Sequence, residues 1–438
     1  MDNGSFFSKY RCLIQNILQE DNLTIDSLEG EFNCQRQLSF IHRYLFLLYF
    51  FLAIFSNIVF GLLGVKKRLS QYKNDDFLFF SCPDPVFRTK NIMLLAVGLN
   101  YSMVYLPNMH VLSSLHYYMY FKNNKVKVFF PTVTIKDVLC ARNVYRKLGC
   151  VIKEKRTEDY IRFKYTISIF LIYRNMAERL INGINDYKGK CILEHQKFYF
   201  MPIVVGLRKK GLKTTMMQHG LFYQPVFDYI PLLCDKVLCC SEREKSLYID
   251  CGTKEECIKV FGAPLQTLTS KRADDLELSK YNLLVLMTEV TEDNTQIIKD
   301  ILNHISSSYN KVLVRLRPRS RKDDLKKMGD VFQGMTISSP KNTLVDDIIS
   351  SSKVVSFSVD ANVEVAKLHK PMVYVWTEGL ASEVKDINCA TQENYQEEIK
   401  KLMTEEFYST FTETQYKEIL GETDVAILKN RFKKYVNS

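Results

Sequence analysis

The feature that most constrains this chain is a rhythm of short apolar runs, each closing on polar residues and leading into a helical stretch, clearest from Thr214 to Pro264. There TTMM leads to Gln218-His219-Gly220, KVLCC to Ser241-Glu242-Arg243-Glu244, and IKVF to Gly262-Ala263-Pro264. Apolar runs this short, bounded by turn formers, suit strands covered on both faces. Strands alternating with helices build parallel sheets, whose ligands bind beyond the carboxyl ends of the strands. Functional residues are therefore expected at that edge.

The same reading extends along the chain. Strands are predicted at Phe77 to Ser81, Met103 to Leu106, Val126 to Phe130, Cys191 to Glu194, Thr214 to Met217, Lys236 to Cys240 and Ile258 to Phe261. Helices fall between them, including a long one from Glu158 to Ile184 and another from Phe198 to Lys210. The polar segment Ala263 to Tyr281 then precedes fresh strand signals at Asn282 to Met287, Lys311 to Leu316, Val354 to Phe357 and Met372 to Trp376. Three regions follow: 1–75, a first α/β domain at 76–268 and a second at 269–438.

With 438 residues and 46% hydrophobic content, the chain can bury large cores. A formal net charge of +11 points to anionic partners such as nucleotides, acidic polysaccharide or a membrane face. Nucleic acid is not expected, because the basic residues are dispersed and form no recognised module. Neither Gly-x-Gly-x-x-Gly nor Gly-Lys-Ser/Thr occurs, which excludes the common dinucleotide and phosphate-loop fingerprints. The twelve cysteines form no Cys-x-x-Cys pair and read as free, buried thiols of a reducing compartment, with no metal site.

From Tyr44 to Val65 the chain carries no charge and is flanked by Arg43 and Lys66-Lys67-Arg68. As a helix this run is long enough to cross a hydrocarbon core of roughly 30 Å, with the basic cluster on the cytoplasmic side. The alternative is a helix packed inside the fold. Either way the rest of the chain is expected in the cytosol, and with the run as an anchor, at the cytoplasmic face of the inner membrane.

Candidate chemistry gathers at strand ends. In the second half, Thr288 follows one strand, Arg315 and Arg317 end another, and Ser356, Ser358 and Asp360 lead into a helix carrying Glu364. Arginines and a capped helix start favour phosphate, and a carboxylate one turn on can accept ribose hydroxyls. Plain helix capping is the alternative for Ser358, Asp360 and Glu364. In the first half His219 stands beside Gly220, while Glu194 and Asp84 follow other strands as candidate bases. A strand-end histidine or ordinary loop carboxylates would explain those three without catalysis.

The ordered set Gln218-His219-Gly220, Ser241-Glu242-Arg243-Glu244, Val260-Phe261-Gly262-Ala263-Pro264, Arg315-Leu316-Arg317-Pro318-Arg319 and the block Leu344 to Pro371 resembles the GT-B glycosyltransferases of bacterial surface polysaccharide assembly. The resemblance implies two Rossmann-like domains facing a cleft and metal-independent sugar transfer from a nucleotide-sugar donor. The acceptor would be a glycan or a lipid-linked saccharide of capsule or lipopolysaccharide. It also implies Arg315, Arg317 and Ser358 at the donor phosphate, Glu364 at the ribose, and His219 lining the cleft. Beyond the donor substrate, no cofactor is implied. A UDP-sugar 2-epimerase, a CDP-glycerol-type polyol phosphate transferase and a non-catalytic membrane scaffold remain alternatives.

Overall fold

The computed structural model describes residues 6–34, 51, 74–81, 92–106, 123–124, 126–129, 131, 133–151, 158–184, 187–194, 196, 200–217, 231–262, 280–288, 290, 294–317, 321–357, 361–362, 364–365, 368, 370–375, 389–390, 393–404, 421–422 and 424–438. The chain divides into two compact units. One comprises Met1–His219, Pro225–Gln266 and Glu422–Ser438, the other Gly220–Gln224 and Thr267–Gly421.

The first unit is built on seven parallel strands: β1 (Phe77–Ser81), β2 (Tyr101–Tyr105), β3 (Lys127–Phe129), β4 (Lys190–Leu193), β5 (Thr214–Met217), β6 (Lys236–Cys239) and β7 (Ile258–Val260). Their order is β3-β2-β1-β4-β5-β6-β7. Every residue of β1 is buried, as its unbroken apolar run FLFFS demands. Because β2 and β3 extend to one side of β1 and β4 to β7 to the other, the sheet has its topological switch point between β1 and β4.

Two helices that the strand rhythm does not signal, α1 (Phe6–Leu18) and α2 (Asn22–Cys34), open the unit. They precede α3 (Ile135–Val151), α4 (Glu158–Asn182), α5 (Met201–Lys209) and α6 (Glu242–Asp250). The turn between α1 and α2 is clasped to the helices beneath it. Glu20, whose side chain is buried, pairs with Lys209 of α5 at 2.8 Å and Arg174 of α4 at 3.4 Å.

The second unit repeats the plan with β8 (Tyr281–Leu286), β9 (Val312–Arg315), β10 (Thr336–Ile337), β11 (Ser351–Ser356), β12 (Met372–Val375) and β13 (Cys389–Ala390). They lie parallel in the order β10-β9-β8-β11-β12-β13, with the switch between β8 and β11. One face packs Leu283, Val285, Val312, Val314 and Val355 against Ile298, Ile301 and Ile305 of α7 (Thr295–Ser308) and Ile399 of α10 (Tyr395–Thr404). The other packs Leu284, Leu286, Leu313 and Val354 against Ile348 of α9 (Leu344–Ile349) and Val365. The short helix α8 (Arg321–Met328) follows β9. The pattern of alternate residues facing opposite cores is the period-2 signature of a strand.

The expected second domain, 269–438, needs correction at its end. Helix α11 (Val425–Asn437) belongs to the first unit, where Leu428, Phe432, Tyr435 and Val436 join Phe77, Phe79, Ile192, Met217, Leu238 and Phe261 in one core. VAILKNRFKKYVN is amphipathic and must bury its apolar stripe, which it does on Phe77, Phe79 and Phe261 of the first unit. Phe432 meets Phe77 edge to face at 5.3 Å between ring centres. Gly262, at φ +118°, lies where the chain passes closest, and a Cβ there would stand 2.4 Å from the Glu422 carbonyl oxygen.

No helix among the described residues is long and apolar enough to cross a membrane. The apolar run 44–65 lies outside the described residues apart from Phe51, which is helical and exposed.

Candidate functional site

At the carboxyl edge of the first sheet, the switch point brings two polar side chains together. Ser81 is the last residue of β1, and Glu194 follows β4. Glu194 is 2% exposed, and Ser81 Oγ donates to its Oε2 at 2.8 Å. The Glu194 backbone N–H donates to the Phe80 carbonyl at 3.2 Å, so the ladder carries on to this residue and fixes its carboxylate over the strand ends. The carboxylate is thus held at the strand ends and almost closed to solvent. Ser81 is the one polar residue closing FLFFS, and its place at the end of a buried strand is the signal that marks it. Asp84 and His219 lie outside the described residues.

Two further motifs of this unit have local structural explanations. Ser241 caps α6, accepting from the Glu244 backbone at 3.4 Å, while Glu244 Oε2 accepts from the Cys240 backbone at 2.9 Å. Together they satisfy the start of the helix and the residue just before its cap. The glycine of Gly262-Ala263-Pro264 is required by the close passage of the returning chain, as described above.

The second sheet carries a different edge. In register, Arg315 stands beside Leu286, Leu286 beside Ser356, and Ser356 beside Tyr374. Arg317 and Thr288 follow two residues beyond Arg315 and Leu286, and Glu364 lies on the helical turn after β11. Thr288 and Glu364 are half-buried and Arg317 is exposed. Ser358 and Asp360 lie outside the described residues.

Two expectations for this edge are corrected. The Arg315 guanidinium is committed to the fold: Nη1 donates to the carbonyls of Asn342 at 3.2 Å and Thr343 at 3.1 Å and to Asp347 Oδ2 at 2.5 Å. Asp347 has no exposed surface and also accepts from Ser338 Oγ at 2.5 Å and Asn342 Nδ2 at 3.0 Å. A buried carboxylate requires such partners, so Arg315 anchors the start of α9 and is not free to hold phosphate. Ser356 is completely buried and forms part of the floor beneath the edge. Asp347 and Ser338 are the residues that sequence reasoning missed. Asp347 hid in the acidic pair Asp346-Asp347, of which Asp346 forms the capping box with Thr343.

The thiols also differ from expectation. Cys191, Cys234, Cys239 and Cys240 are buried, but Cys12, Cys140 and Cys150 are exposed on helices. Burial pushes the Cys239 thiol up to about 12, with Glu244 adding to it. The same burial raises Cys240 well above its ordinary value, with Glu244 again contributing. None of these buried thiols is an activated nucleophile.

No protein-family description matches the chain, and no curated protein matches it. Solved structures do. A glycosyltransferase from Rickettsia africae superposes with a TM-score of 0.52 at 10% identity, covering 83% of this chain and 98% of that one. The UDP-GlcNAc 2-epimerase of Methanocaldococcus jannaschii gives 0.52 at 12% identity, covering 82% and 99%. A structure of that epimerase in complex with UDP-GlcNAc and UDP gives the same score and coverage. The likeness shows the fold: two α/β units on parallel sheets, the GT-B type.

Proposed function

We propose that this chain is a glycosyltransferase that moves a sugar from a nucleotide-sugar donor to a growing surface polysaccharide or lipid-linked acceptor, without a metal, at the cytoplasmic face of the inner membrane. The observation that carries this reading is the second sheet's switch point, where Thr288, the exposed Arg317 and the half-buried Glu364 follow β8, β9 and β11. A strand-edge crevice at a switch point is where doubly wound sheets bind nucleotides. Arg317 offers a planar, permanently charged group to a diphosphate, and Glu364 an acceptor to ribose hydroxyls. Charge developing on the leaving phosphate would be offset by the Arg317 guanidinium and by the Ser358 hydroxyl. In the first unit, Glu194 would take the proton of the acceptor hydroxyl, with His219 and Asp84 as the further catalytic candidates.

A second reading, epimerisation of a UDP-sugar, is supported by the fold likeness to the archaeal enzyme. Thermal stabilisation by UDP, GDP, CDP, CMP and dTDP, with Arg317→Ala and Glu364→Ala as controls, tests the donor site. A shift selective for one nucleotide and lost in both variants is expected; no shift with any of them would overturn the site. Incubating the matching nucleotide sugar without acceptor then separates the readings. An epimerase alters the sugar alone, whereas a transferase releases nucleotide only when an acceptor is supplied.

A further inference from the structure

We propose that the amino-terminal edge of the first sheet is a docking face for an anionic lipid bilayer, built from Lys190, Lys236 and Lys259 around Tyr435 together with Lys433 and Lys434. The proposal extends the membrane part of the function above and does not involve the donor site.

Strand alternation puts the first three on one face. Ile192, Leu238 and Phe261 pack against α11, so Lys190, Lys236 and Lys259, two residues before each, share that face where its apolar part ends. Lys190 Nζ donates to the carbonyls of Tyr435 at 2.5 Å and Val436 at 3.2 Å, satisfying the last turn of α11. It also lies 4.8 Å from the Tyr435 ring centre, with Lys259 Nζ at 5.1 Å. Lys236 and Lys259 are exposed, as are Lys433 and Lys434 on α11, a helix without an acidic residue. Lys213, exposed, precedes β5 at the same edge, its carbonyl accepting from Cys191.

Most acidic groups at this edge are already engaged. Asp75, buried before β1, pairs with Lys127 at 2.8 Å and accepts from Ser102, Asp76 Oδ2 accepts from the Asn100 backbone at 2.8 Å, and Glu255 before β7 pairs with Lys245 at 2.6 Å, with Glu256 exposed beside it. Asp235, next to Lys236, already accepts from the Thr214 backbone at 2.8 Å and hydroxyl at 2.9 Å. Glu422 and Asp424 lie at the other end of α11. The ammonium groups repel one another: the Lys190 pKa is lowered by burial and then by Lys236 and Lys259. An external anion would relieve that repulsion. Because the lysines are spread along a sheet edge and a helix, they match an extended anionic surface better than a single phosphate.

The route of the chain selects the bilayer as that surface. Lys190 pairs in register with Phe77, and its backbone donates to the Asp76 carbonyl at 3.2 Å. The chain that carries the apolar run Tyr44 to Val65 and then Lys66-Lys67-Arg68 therefore enters β1 at the edge that bears the lysines. An apolar segment plus a basic face is the two-signal combination that holds a protein firmly at a membrane.

The test is lysine footprinting of the full chain reconstituted into phosphatidylcholine vesicles and into vesicles of phosphatidylcholine with phosphatidylglycerol. A membrane-impermeant acetylating reagent is used, with sites read by mass spectrometry. Labelling of Lys236, Lys259, Lys433 and Lys434 is expected to fall severalfold in the anionic vesicles only and to recover in high salt, while Lys322, Lys326, Lys341 and Lys400 of the second unit stay constant. Equal change in both sets, or none, would overturn the proposal. Protection that appears in neutral vesicles on adding soluble polygalacturonate, and not with phosphatidylglycerol, would assign the face to an acidic glycan and likewise overturn it. A Lys236→Gln/Lys259→Gln/Lys433→Gln/Lys434→Gln variant, which retains Lys190 and its helix contacts, should lose at least about tenfold in the salt-sensitive part of binding to the anionic vesicles. Nucleotide stabilisation, measured on the same variant, should be unchanged, so failure here is distinguishable from failure of the donor site.

Discussion

The two sheets share a winding scheme and differ in what they leave at their carboxyl edges. In the first, Ser81 and Glu194 meet at the switch point as a buried, hydrogen-bonded pair. In the second, the buried polar pair is Arg315 and Asp347, displaced from the switch point to the start of α9, while Thr288, Arg317 and Glu364 remain within reach of solvent. The same architecture therefore fixes a carboxylate in a dry setting in one unit and leaves a cation accessible in the other. A fixed acceptor suits proton transfer, and an accessible arginine suits an anionic ligand.

The sharpest way to break this contrast is Arg315→Ala. If Arg315 is structural, the substitution strands the fully buried Asp347 carboxylate and should cost about 3 to 5 kcal/mol, read as a lower urea midpoint. Unchanged stability with lost nucleotide binding would return Arg315 to the ligand set. Next in size is Glu194→Gln, whose amide oxygen can still accept from Ser81. Turnover should fall roughly a hundredfold or more with the melting temperature kept, because the base is gone and the hydrogen bond is not. Equal turnover would remove Glu194 from the chemistry.

The strands were the legible part of the sequence, because a buried parallel strand writes itself as an apolar run whose last residue marks the ligand edge. That rule puts Glu194, Thr288 and Arg317 at strand ends, where the fold has them. Arg315 was found by the same rule and misassigned, since its partner Asp347 is distant in sequence and nothing in one residue's spacing shows which carboxylate will be buried against it. Helix α11 was assigned to the wrong unit for a related reason. Its amphipathic stripe shows that it must pack, but which sheet it covers is decided by Gly262, Phe261 and Phe77, far away along the chain. Helix α1 does carry an apolar stripe, with Phe7, Ile14 and Leu18 fully buried, whereas α2 carries a weak one and the turn between them is held by the ion pair of Glu20 with Lys209, which leaves no periodic trace.

Arg317→Ala sharpens the contrast from the other side. Arg317 is exposed and stands two residues past the ladder, so the variant should melt close to the parent while nucleotide affinity drops about tenfold, the effect of losing one charge-assisted contact of about 1.4 kcal/mol. A loss of stability instead would make it a second scaffold arginine.

The smallest effect concerns the thiols of the first unit. Burial holds Cys239 as a neutral thiol up to about 12, against an ordinary value of 9.0, and raises Cys191, Cys234 and Cys240 in the same direction. Since these folded values lie above the unfolded one, their contribution to stability is fully present below about pH 9 and is lost as pH rises toward 12. Alkaline unfolding should therefore set in above pH 9 and be blunted in Cys239→Ala, a change that removes one titrating group. At pH 8 a maleimide should label Cys12, Cys140 and Cys150 in the native chain and spare the buried four. Native labelling of Cys239 or Cys240 as fast as Cys12 would mean that the ends of β6 open readily, and the first edge would then be no drier than the second.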